Sequence, residues 1–115
     1  MIHSFEERSF RIWEFSVHHS RLLIRSAKID EDDFNVDLIF TAVDYLSLPD
    51  HMKGLEIDTA SDKEIKSIEN LLNKQINKND ITIIVANGKR HFVVSAGFKI
   101  SKNKLDLLDS GREIP

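Results

Sequence analysis

The chain has 115 residues, 16 basic and 19 acidic side chains for a formal net charge of -3, no cysteine, and 41% hydrophobic residues. Without cysteine there is no disulfide, no thiolate metal site and no cysteine nucleophile. A chain of this length builds one core rather than two ordinary domains, and its Ile, Leu, Val and Phe content excludes a compositionally disordered protein.

Met1 to Arg8 carries no apolar signal-peptide segment, and no apolar run is long enough for a membrane-spanning helix. A cytoplasmic location is expected. From Phe10 to Val17 the residues alternate, with Trp13, Phe15 and Val17 on one face and Ile12, Glu14 and Ser16 on the other. After the polar break His18-His19-Ser20-Arg21, Leu22 to Ala27 returns as the second strand of a hairpin. Lys28 to Phe34 reads as a loop with the acidic run Asp30-Glu31-Asp32-Asp33, followed by a long strand from Asn35 to Tyr45. Leu48-Pro49-Asp50 ends that strand, because proline cannot donate to a ladder. Gly54 to Asp58 is a candidate short strand.

Ser61 followed by Glu64 is a capping box, and Ile65, Ile68, Leu72 and Ile76 recur at helical spacing. A helix of about four turns is expected, stopping at Asn77 to Asp80. Ile81 to Ala86 is a β-branched strand. Asn87-Gly88 predicts a type I′ hairpin turn, and Phe92 to Ile100 returns from it. Phe92, Val94, Ala96, Phe98 and Ile100 share a parity, which predicts one core face under the helix. Leu105, Leu107 and Leu108 suggest a last short strand or turn, and Ser110 to Pro115 a loose tail. The expected fold is a single α+β domain, residues 1–115. It comprises an antiparallel sheet of five to seven strands, open or strongly curved, with one helix on one face, in the order β-β-β-(β)-α-β-β.

Strand registers follow from matching apolar with apolar across each pair. Val17 opposite Leu22 sets Phe15 against Ile24 and Glu14 against Arg25. Ile24 opposite Leu38 sets Leu22 against Phe40 and Arg25 against Asp37. These registers predict Arg25 lying between Glu14 and Asp37 as an exposed cross-strand row of little energetic worth. The face that carries this row also holds Ile12, Leu23, Ile39, Val43 and Tyr45. One helix cannot cover both faces, so the sheet either curls into a barrel or meets a partner there. Apolar anchors rimmed by charge are the usual composition of a protein interface.

The leading functional expectation is therefore a small interaction module, immunity- or antitoxin-like or regulatory. It would bind a protein partner or a second copy through Leu23, Ile39, Arg25, Arg21 and Tyr45. The alternative is a small-molecule binder or hydrolase built from Glu14, Arg25, Asp37 and His18, with His18 as general base. Nucleic-acid binding through Lys89 to Lys104, where Phe92 and Phe98 interleave with basic residues, ranks third, because the chain is acidic overall. No cofactor is expected. His3, His18, His19, His51 and His91 lack metal-ligand spacing, and Asp30 to Asp33 lacks the calcium-loop pattern. Charge is also unevenly placed: residues 1–57 hold 6 basic against 11 acidic side chains, and residues 58–115 hold 10 against 8.

Overall fold

The structure, a computed structural model, describes residues 3–30 and 33–105. Its elements are β1 (His3–Ser16), β2 (Arg21–Ser26), β3 (Asn35–Ser47), β4 (His51–Asp58), α1 (Asp62–Leu72), a 3₁₀ turn (Lys78–Asp80), β5 (Ile81–Ala86) and β6 (Lys89–Asn103). Every strand pairing is antiparallel, and the order β1-β2-β3-β6-β5-β4 closes on itself as a barrel. The α+β class and the element order are those expected, with β4 a full strand. Among the described residues no helix is long and apolar enough to cross a membrane. Of the expected final strand or turn, Leu107 and Leu108 lie outside the described residues, as does the tail from Ser110.

Two apolar clusters lie on opposite sides of the sheet. Inside the barrel, Phe10, Leu22, Ile24, Leu38, Phe40 and Met52 pack with further buried residues of β4 to β6. Outside, α1 lays Ile65, Ile68 and Leu72 on Ile81, Ile83 and Val94. The helix starts where expected: the Ser61 hydroxyl accepts from the Glu64 amide at 3.2 Å, and the Glu64 carboxylate accepts from the Ser61 amide at 3.0 Å. It stops earlier than expected, after three turns, because Asn73 adopts the left-handed conformation at φ 55°. Ile76 still packs on the helix cluster, from the segment beyond.

The β2–β3 register is the one expected: Leu22 faces Phe40, Ile24 faces Leu38 and Arg25 faces Asp37. The β1–β2 register is not. Ile12 faces Ile24, Glu14 faces Leu23 and Phe15 faces Leu22, with a shift between Ile12 and Glu14. A bulge at Trp13 inserts one residue into β1, so Ile12 and Phe15 both sit opposite inward-pointing residues of β2 while Trp13 turns outward. Alternation carried through such a bulge misassigns one side of it: Ile12 and Trp13 exchange faces, while Glu14 and Phe15 keep theirs.

The parity reading of β6 also fails midway. Phe92 and Val94 lie under the helix, whereas Val93, Phe98 and Ile100 pack with the barrel interior, and Ala96 is exposed. The change of facing coincides with Ala42 at φ 51° on β3 and with Gly97 directly across from Thr41. A second irregularity joins β1 to β4, where the register shifts between Phe5 and Ser9 opposite Gly54. Gly54 has φ +74°, and a Cβ there would lie 2.7 Å from the Glu6 carbonyl oxygen. Gly54→Ala is expected to lower stability by about 1–3 kcal/mol in urea titrations. Gly88→Ala, at a similar φ but with open space around it, is expected to lose only about 1 kcal/mol.

Candidate functional site

Among the described residues, Arg25 and Asp37 are the most buried charges, each 1% exposed. Arg25 Nε donates to Asp37 Oδ1 at 2.7 Å and Nη2 to Oδ2 at 3.0 Å, a two-pronged pair. Asn103 Nδ2 adds a bond to Asp37 Oδ2 at 2.8 Å, and Asn35 Nδ2 holds Asn103 Oδ1 at 2.9 Å. The guanidinium lies 5.5 Å from the centre of the Trp13 ring, which the β1 bulge delivers to this face. The expected row of Glu14, Arg25 and Asp37 is corrected: Arg11, not Glu14, is the β1 residue opposite Arg25. The pair is also deeply buried rather than an exposed row, so removing one partner strands the other charge. Asp37→Asn is expected to cost about 3–5 kcal/mol in urea denaturation, and Arg25→Met with Asp37→Leu to recover most of it.

The four residues of the alternative site do not form one group. Arg25 and Asp37 pair, Glu14 faces Leu23, and His18 stands exposed in the β1–β2 turn with its ring 4.8 Å from that of His19. Of the five expected interface residues, Leu23, Ile39 and Arg25 are buried within the chain at 0%, 7% and 1% exposure, and Arg21 is half-buried. Tyr45 is exposed and stacks on Phe92, with ring centres 5.6 Å apart. On this outer face of β2 and β3 the side chains are enclosed by the chain itself, with Trp13 over the Arg25 guanidinium.

Two side chains of the basic stretch are engaged within the chain. Arg90 donates to both Glu64 oxygens at 2.8 and 2.9 Å, to Asp58 Oδ2 at 2.9 Å and to the Thr59 carbonyl at 3.3 Å. Lys102 lies over the Phe34 ring, which Arg8 covers as well. At the two described ends of the acidic run, Asp33 Oδ2 accepts from the Ile29 amide at 3.0 Å and Asp30 Oδ1 from the Asp33 amide at 3.1 Å. Among the described residues, no group of three or more His, Asp or Glu side chains is gathered as for a metal ion.

A large concavity lies elsewhere. The Asn87-Gly88 turn sets Ala86 opposite Lys89, so the six residues of β5 end with Ile81 opposite Val94. Beyond that point β6 pairs with β3 alone, from Ser95 to Asn103. Along this length a cleft of about 790 Å³ opens between β6 residues 96–100 and the end of β4, with Lys78, Thr82 and His3 at its sides. Phe98, Ile100 and Ile57, which pack on the barrel core, line it, and Phe98 stacks on Phe40 at 4.6 Å. Lys99 and Lys78 stand at its rim.

No protein-family model, curated protein or solved structure matches the chain. The cleft therefore has to be read from its own chemistry. Sequence reasoning passed over it, although one signal was present: a two-residue turn joining strands of unequal length must leave the longer one uncovered.

Arg90 ties this corner of the barrel to the helix. Its hydrogen bonds hold the Glu64 and Asp58 carboxyls well below their usual range, both to about 2, and those carboxylates raise the Arg90 guanidinium in turn. Carboxyls lowered on folding stabilise the fold above their unfolded values near 4, and that contribution disappears as pH falls toward 2. The urea midpoint is expected to drop across that window, and Arg90→Leu to flatten the drop.

Proposed function

We propose that the chain is a binding module for a polypeptide partner, taken up at the open side of the barrel. The observation that carries this reading is the β6 edge: from Ser95 to Asn103 one side of the strand has no ladder partner among the described residues, and the cleft lies beside it. Unpaired strand edges are templates for another chain, which proteins either block or use. An apolar floor beneath such an edge supplies the anchoring that backbone hydrogen bonds alone lack. This moves the contact surface away from the β2–β3 face, whose Leu23 and Ile39 are buried. An immunity- or antitoxin-like protein is one instance of such a module. The cleft volume of about 790 Å³ also lies within the range of small-molecule sites, which makes a small ligand in the same place the second reading.

Site-specific photo-crosslinking in the native cell tests the module reading. A photoreactive residue at Lys99 or Asn79 is expected to capture a protein that the same residue at Asn87, in the hairpin turn, does not. Equal capture at all three positions, or capture at Asn87 alone, would count against the module.

A further inference from the structure

Resting on that reading, we infer that the occupant of the cleft is an extended segment of a partner protein that alternates apolar and acidic residues and adds to β6 as a strand. Three features of the site lead there. First, β6 lacks a ladder partner along the cleft among the described residues, past the point where β5 ends at Ile81 and the 3₁₀ turn of Lys78–Asp80 meets β6. An added strand pairing with residues 96–100 spans about five residues, roughly 17 Å.

Second, the two sides of such a strand meet different chemistry. Side chains along a strand point alternately to opposite faces. Those directed into the barrel meet Phe98, Ile100 and Ile57, whereas those directed outward lie beside Lys99, which alternates with Phe98 and Ile100, and beside Lys78. Third, the charge of the rim is uncompensated. Asp58, which also lines the cleft, is bound to Arg90 at 2.9 Å, while Lys78 and Lys99 have no carboxylate partner among the described residues. Apolar residues inward and carboxylates outward satisfy both sides at once.

The same lysines disfavour a second copy of this chain. Two β6 edges paired antiparallel about the cleft would bring Lys99 of each near that of the other, and like charges across a strand pair are destabilising. Lysines on an edge strand serve against self-pairing without preventing an acidic strand from docking.

The test uses the whole protein and a synthetic peptide of six residues alternating glutamate with isoleucine or valine, with a lysine-for-glutamate peptide as control. The glutamate peptide is expected to bind at least about tenfold more tightly than the control, and less tightly at high salt. The double variant Lys78→Glu, Lys99→Glu is expected to invert the preference while keeping the wild-type urea midpoint. Binding is also expected to slow amide hydrogen exchange within residues 96–100. Equal binding of both peptides, unchanged exchange at residues 96–100, or a stable dimer that the peptide does not disrupt would each overturn strand addition. If crosslinking at Lys99 still captures a partner in those cases, the module reading stands and the assignment of its ligand fails. If neither crosslinking nor peptide binding occurs, both fail.

Discussion

A six-residue strand joined by a two-residue turn to a fifteen-residue strand cannot cover it. The Asn87-Gly88 turn leaves no slack, since both residues take the positive φ that a tight hairpin of this hand requires. The β5–β6 register is thereby set, and the barrel closes along one half of β6 and opens along the other. The cleft, its apolar floor and its lysine rim all follow from where Ile81 runs out opposite Val94. The helix follows as well: it bridges β4 to β5 outside the barrel and packs on Ile81, Ile83 and Val94, leaving the uncovered half of β6 beyond its reach.

Two charged clusters hold this arrangement, and burial makes them different in kind. The Arg25–Asp37 pair is enclosed, and its worth lies in the cost of breaking it, because either charge alone has no water to turn to. It joins β2 to β3, and Asn103 ties it to the far end of β6. Arg90 is exposed and screened, so each of its bonds contributes little by itself. Its role is geometric: one planar guanidinium reaches the end of β4 and the first turn of α1 from β6, anchoring the helix beside the cleft.

Parts of the chain were legible because local rules decide them. The Ser61–Glu64 capping box, the Asn87-Gly88 turn and the Pro49 stop are all as the sequence predicts. So is the β2–β3 register, where both strands are regular and a slip would turn apolar side chains into solvent. Legibility was lost at each irregularity. The bulge at Trp13 moved Glu14 from Arg25 to Leu23, and the change of facing near Ala96 split one apparent face of β6 between two cores. One inserted residue reverses every facing beyond it, and a hydrophobic pattern of period two accommodates either phase.

By itself, the amino-acid sequence determined the class, the order of strands and helix, and the positions of the turns, because these depend on neighbours within a few residues. It also determined that the sheet carries apolar residues on both faces. Tertiary structure decided the fate of each face: the sheet closes into a barrel around one, and on the other Leu23 and Ile39 are buried and Arg25 pairs with Asp37 away from solvent. It also decided where the cleft lies, because closure depends on the relative lengths and registers of all six strands together. No segment read alone contains that information.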